Sequence, residues 1–150
     1  MRVLFVCTGN TCRSPMAAAL LRHALQERGA GGFDVSSAGT GAWDGSPASE
    51  GAYLVALEHG LDLSAHRARL LTRDLVKDAD LILTMSPQHR ARAEALGAGT
   101  RARTLTEFAG DASLDEVPDP YGSELGEYRL AYDRLAQLVN QVAARLAGAG

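Results

Sequence analysis

A chain of 150 residues with 46% hydrophobic side chains suits one compact domain with a sizeable core, and its formal net charge of −3 lacks the basic footprint of a nucleic-acid binder. No uninterrupted apolar run is long enough to cross a membrane. Met1-Arg2-Val3-Leu4 leads straight into a strand-like segment rather than a cleavable leader, which reads as a cytoplasmic protein with neither membrane nor nucleic acid as partner.

Arg2-Val3-Leu4-Phe5-Val6 is short, apolar and β-branched, and breaks into a Gly- and Thr-containing loop, as a buried parallel strand does. A helix follows: Ser14-Pro15 offers a capping hydroxyl and an early proline, and Met16, Ala17, Leu20, Leu21, Ala24 and Leu25 recur at helical spacing until Gly29. A second strand is expected over 33–38. The turn-rich segment 39–47 then leads to a helix over 48–59. A short helix near 72–77 precedes the clearest later strand, 80–85, and is followed by a helix over 87–96 and a weaker strand over 102–105.

After Asp111 an acidic loop ends in Val117-Pro118-Asp119-Pro120-Tyr121-Gly122, whose prolines exclude regular helix. The segment 126–147 closes the chain as an amphipathic helix, with Tyr128, Ala131, Leu135, Leu138, Val139, Val142 and Leu146 on one face. This alternation predicts a single α/β domain over 1–150, with a parallel sheet covered on both faces and a ligand bound beyond the carboxyl ends of the strands.

The chemistry concentrates in Cys7-Thr8-Gly9-Asn10-Thr11-Cys12-Arg13-Ser14. Both cysteines of the chain lie here, a poor arrangement for stapling a fold and a good one for reactivity. A tight loop feeding a helix N-terminus turns its backbone N–H groups and the helix dipole toward an anion, and Arg13 can grip two phosphoryl oxygens with its planar fork. The same positive surroundings are expected to lower the pKa of Cys7 and make it a nucleophile. Gly9 is expected to allow close backbone approach or a positive φ, Asn10 to brace the loop through its amide, and Ser14 to donate toward the thiolate. A nucleotide-binding G-x-x-x-x-G-K loop is absent. A Cys and an Arg at this spacing also arise by chance, and the strand-loop-helix setting is what raises the pair above coincidence.

A cysteine phosphatase needs a proton donor for the leaving group and then a base to activate water. Asp119, held between two prolines, is the choice. Pro-Asp-Pro is also ordinary turn chemistry, and Asp111, Asp115 and Glu116 stand nearby as competitors. His23, His59, His66 and His89 show no metal-ligand spacing and read as surface or capping residues, so neither metal nor cofactor is expected.

The opening run Val-Leu-Phe-Val-Cys-Thr-Gly-Asn-Thr-Cys-Arg-Ser-Pro-Met-Ala and the late Asp119-Pro120-Tyr121 resemble the low-molecular-weight protein tyrosine phosphatase family. Ser37-Ala38-Gly39-Thr40, His66-x-Ala68-Arg69 and Asp80-Leu81-Ile82-Leu83-x-Met85 follow in the family's order, so the resemblance covers essentially the whole chain. It implies a flavodoxin-like three-layer fold with a four-stranded parallel sheet. It further implies metal-independent phosphomonoester hydrolysis of a phosphorylated protein through a phosphocysteine intermediate. Cys7 would be the nucleophile, Arg13 the phosphate clamp and Asp119 the general acid and then base, with residues 8–14 binding phosphate. Cys12 would be a redox partner for Cys7.

Thr11 departs from the bulky aliphatic residue commonest in the family loop and resembles the bacterial protein-arginine phosphatase branch, which favours phosphoarginine over phosphotyrosine. Trp43 and Tyr121 match the positions of aromatic walls beside the substrate, which suit either side chain. Ala18 stands where an acidic residue is frequent, which leaves a network between that position and His66 without its acid. An arsenate reductase is the alternative from another class and lacks the further cysteines it would need. A phosphoprotein reader or a phosphocysteine carrier would have no use for the proton donor Asp119.

Overall fold

The computed structural model describes residues 1–111 and 116–148. Its elements are β1 (Arg2–Cys7), α1 (Arg13–Glu27), β2 (Asp34–Gly39), α2 (Glu50–Glu58), α3 (Arg73–Asp78), β3 (Leu81–Thr84), α4 (Pro87–Ala95), β4 (Ala102–Thr104), α5 (Leu105–Ala109) and α6 (Leu125–Ala147). The four strands form one parallel sheet in the order β2-β1-β3-β4. The expected α/β fold with a four-stranded parallel sheet is therefore the observed one.

β1 is buried on both faces because successive side chains of a strand point to opposite sides. Val3, Phe5 and Cys7 face Met16 and Leu21 of α1 and Leu135, Leu138 and Val142 of α6. Leu4 and Val6 face the other layer, with Val76 of α3 and Ala93 of α4. The central strand is thus clamped between two apolar layers, and its carboxyl end is fixed where the first loop begins.

Strand and helix bounds fall within two residues of the expected ones, with one mechanistic difference at α1. Its N-cap is Cys12 and has no side-chain capping bond. The Ser14 hydroxyl expected to cap instead turns inward to Cys7 and Asn10. Two short pieces lay below the reach of periodicity: a 3-10 turn, Gly99–Arg101, and α5. α5 did carry terminal signals, with Thr104 accepting from the Glu107 N–H at its start and Gly110 in the left-handed region at its end.

Candidate active site

β1 ends at Cys7 and α1 begins at Arg13, so five residues must reverse the chain between them. Asn10 takes the left-handed conformation that this arc requires, with φ 56°, and Gly9, for which a positive φ is one of two expectations, does not. The reason lies in its side chain. Nδ2 donates to the Ser14 hydroxyl (2.8 Å) and the Ser37 hydroxyl (2.9 Å), and Oδ1 accepts from the Arg69 N–H (3.0 Å). These bonds offset a backbone cost of roughly 1–2 kcal/mol. Gly39 at the end of β2 passes beneath the loop so closely that a Cβ would run into the Thr8 carbonyl oxygen.

His66, read from sequence as a surface or capping residue, is half-buried, and its Nε2–H donates to the Asn10 carbonyl (2.6 Å). It braces the loop directly, with Ala18 at the position that lacks the acid. His89 is also not a surface residue. Only 6% exposed, it stands with Nε2 2.8 Å from Thr8 Oγ1 and Nδ1 3.0 Å from Ser86 Oγ. Two of the four histidines therefore belong to the loop's surroundings, a fact hidden in sequence because 56 and 81 residues separate them from their partners. Among the described residues no cluster of His, Cys, Asp or Glu could hold a metal.

Cys7 Sγ lies 2.9 Å from Ser14 Oγ and accepts from the Asn10 N–H at 3.3 Å. The lowered thiol pKa expected from sequence is not what the structure gives. Burial, with 3% of the residue exposed, pushes the thiol up, and the Ser14 hydroxyl, the Arg13 charge and the Asn10 N–H pull it back only in part.

Arg13 is buried, and its Nη1 donates to the Val117 carbonyl at 2.8 Å. Its Nε is buried with no hydrogen-bond partner, and Nη2 stands 3.4 Å from Asp119 Oδ2. One side of the guanidinium is anchored and the other is left with unused donors, as an oxyanion clamp requires. Asp119 also accepts from the Tyr121 N–H (3.1 Å) and is exposed. Of its competitors, Asp111 is committed to Arg134 at 2.7 Å, and Asp115 lies outside the described residues.

Cys7, Thr8, Gly9, Thr11, Cys12, Arg13, Trp43, Asp119 and Tyr121 all line one cavity of about 490 Å³. Trp43 is 83% exposed and Tyr121 70%, so both stand free at its mouth rather than covering the core. Cys12 Sγ lies 3.1 Å from Ser49 Oγ and 3.6 Å from the Tyr128 hydroxyl.

A cysteine sulfur at a strand end, an arginine with unused donors and a carboxylate thus meet at one cavity. The sequence profile described as low molecular weight phosphotyrosine protein phosphatase matches residues 2–149. The chain belongs to that family. Relatives carry both specificities in their names. The probable low molecular weight protein-tyrosine-phosphatase EpsP of Ralstonia nicotianae is 39% identical over 149 residues, covering 99% of this chain and 97% of its own. The protein-arginine-phosphatase of Geobacillus stearothermophilus is 38% identical over 147 residues, covering 97% and 95%. A solved structure of the YwlE arginine phosphatase, a cysteine-to-serine mutant with a phosphorylated active-site serine, superposes with a TM-score of 0.90 at 35% identity over 99% of this chain and 97% of that one. The phosphatase described here is accordingly a hydrolase of phosphorylated proteins, and among its described residues no helix is long and apolar enough to cross a membrane.

Proposed function

We propose that the phosphatase hydrolyses phosphoarginine in proteins, with Cys7 as nucleophile, Arg13 as phosphate clamp and Asp119 as general acid and base, within one catalytic domain of the reducing cytoplasm. The thiolate of Cys7 attacks phosphorus, the P–N bond breaks, and Asp119 passes its proton to the leaving guanidine nitrogen. Water then attacks the phosphocysteine, Asp119 takes its proton, the P–S bond breaks, and inorganic phosphate leaves. The N–H groups of residues 8–14 and the Arg13 fork hold the phosphoryl oxygens throughout. The buried Nε of Arg13, without a hydrogen-bond partner on a residue that lines the cavity, is the observation that best supports this arrangement.

The preference for arginine rests on Thr11. Its residue lines the cavity, and its carbonyl accepts from the Ser49 N–H at 2.9 Å, which pins the loop at this point to the start of α2. Its hydroxyl can accept from a guanidinium N–H, and its side chain is shorter than the aliphatic alternative, leaving room beside the P–N bond. Whole-chain identity carries no preference, at 39% to a tyrosine-named and 38% to an arginine-named relative, so local chemistry has to decide. Trp43 and Tyr121 would hold either a guanidinium or a phenyl ring between their faces. Tyrosine is the close alternative, since the same two aromatic side chains at the cavity suit a phenyl ring.

Cys12 is the proposed redox partner. A peroxide oxidises Cys7 to the sulfenic acid, which condenses with the Cys12 thiol, releases water and forms a disulfide. Turnover of phosphoarginine and phosphotyrosine peptides by wild type and Thr11→Ile tests the substrate assignment. A drop in the arginine-to-tyrosine ratio of kcat/KM in the variant supports it, and the same tyrosine preference in both proteins overturns it.

A further inference from the structure

The catalytic scheme leaves one group of buried polar residues unused. Thr8 is exposed and lines the cavity one residue after Cys7, yet its hydroxyl is tied to His89, a buried side chain of α4. Ser86, 2% exposed, caps α4 by accepting from the His89 N–H at 3.4 Å, and its hydroxyl lies 3.0 Å from His89 Nδ1. The chain of contacts thus runs from the carboxyl end of β3, through α4, into the phosphate loop.

Hydrogen bookkeeping gives this chain a direction. A buried hydroxyl hydrogen needs an acceptor, and Nδ1 is the acceptor at hand for Ser86, whose own oxygen already receives the His89 N–H. Nδ1 therefore carries no hydrogen, the ring hydrogen sits on Nε2, and Nε2–H donates to Thr8 Oγ1. The Thr8 hydroxyl is left as a free donor on a residue of the cavity wall. With the opposite tautomer, Thr8 would spend its hydrogen on Nε2, and the Ser86 hydrogen would be stranded in the interior.

We propose that the Thr8 hydroxyl is a further hydrogen-bond donor to the substrate phosphoryl group and that His89, backed by Ser86, is the positioning residue that aims it. Two charged groups face the ring, Arg13 and Asp119. Burial first, and then the Arg13 charge, push the ring down to about 4 against the opposing pull of Asp119, so at neutral pH it is uncharged and holds a single hydrogen. A protonated ring would present hydrogen on both nitrogens, turn the Ser86 hydroxyl away and place a second cation behind the clamp.

This inference rests on the phosphoryl-binding reading of the cavity, and the test separates the two. Steady-state hydrolysis of p-nitrophenyl phosphate is measured for wild type, Cys7→Ser, Thr8→Val, Thr8→Ser, His89→Leu, His89→Gln and the double variant Thr8→Val/His89→Leu. A donor to a charged phosphoryl group corresponds to a loss of about 10- to 100-fold in kcat/KM for Thr8→Val, with Thr8→Ser recovering most of it. His89→Leu loses about 5- to 20-fold by the same reasoning, and His89→Gln, which keeps an N–H near Nε2, recovers most of that loss. The double variant falls no lower than Thr8→Val, because His89 acts through Thr8.

A merely structural histidine gives a double variant with the product of the two single losses, and that result overturns the proposal. So does Thr8→Val at the wild-type rate. Should His89→Leu not fold by circular dichroism, Thr8→Val against Thr8→Ser and the His89→Gln rate carry the same decision. Hydrolysis by Cys7→Ser equal to wild type would instead remove the underlying reading.

Discussion

Asp119 Oδ2 rests 3.4 Å from Nη2 of Arg13, so the proposed proton donor lies on the free side of the proposed phosphate clamp. A carboxylate there occupies ground that a phosphoryl oxygen would claim, and substrate must displace it toward the leaving group. Replacement of Asp119 by Asn is expected to lower kcat by about 10²- to 10³-fold on phenyl phosphate, the range for a lost general acid. The loss shrinks on p-nitrophenyl phosphate, whose leaving group needs little protonation. Equal losses on the two esters in kcat/KM, which reports transfer to Cys7 and not hydrolysis of the shared phosphocysteine, would assign Asp119 a binding role instead.

Cys7→Ser keeps the loop's N–H groups and loses the sulfur nucleophile. Turnover of p-nitrophenyl phosphate is expected to fall by at least about 10³-fold, while inorganic phosphate still binds, because the loop N–H groups and Arg13 are intact. Isothermal titration with phosphate reads the second half of that expectation.

Much of this site is legible in the sequence. The Cys7-to-Ser14 segment announced itself because the anion cradle is local, built from one loop and the helix it enters. Asp119 was an open choice among neighbours by spacing, since its partner Arg13 lies more than a hundred residues away in the chain, and the family resemblance supplied it. His66 and His89 were misread for the same physical reason: a histidine's role is set by what a distant strand end brings to its ring nitrogens, and single-sequence patterns carry no such information. At Cys7 the sequence displays the charges that lower the thiol pKa and hides the burial that raises it.

The Thr11→Ile variant bears on substrate choice. Replacement of the hydroxyl by a bulkier aliphatic group is expected to lower kcat/KM for a phosphoarginine peptide by about tenfold or more and to leave phosphotyrosine within about threefold, the scale of one lost hydrogen bond plus crowding. Parallel assays on the two peptides check it.

Asn10 links strain to bonding. Asn10→Ala keeps the unfavourable φ and loses three side-chain bonds, at a cost of about 3 kcal/mol in unfolding free energy. Asn10→Gly loses the same bonds without the strain and is expected to retain about 1 kcal/mol more. Urea melts of the pair separate the two contributions.

His89 ties stability to pH. Its folded value of about 4 lies below the ordinary 6.5, so between these values the unfolded chain binds more protons and stability falls as pH drops. The full shift corresponds to about 3 kcal/mol. Denaturation at pH 7 and pH 4.5 should show a smaller difference for His89→Leu than for wild type, the other titrating groups being common to both.

Val117 is fastened at both ends, its N–H to the Met85 carbonyl at 2.8 Å and its carbonyl to Arg13 at 2.8 Å. Both fastenings are to main chain on its side, so the letter at this position is chosen by the apolar core, while its distance from Asp119 is chosen by chemistry. Length, rather than identity, is therefore what the segment between these two residues has to hold: one residue inserted after Pro118 would carry the carboxylate away by up to about 3.5 Å, the reach of one extended residue, and strand it off the clamp with every functional side chain still present.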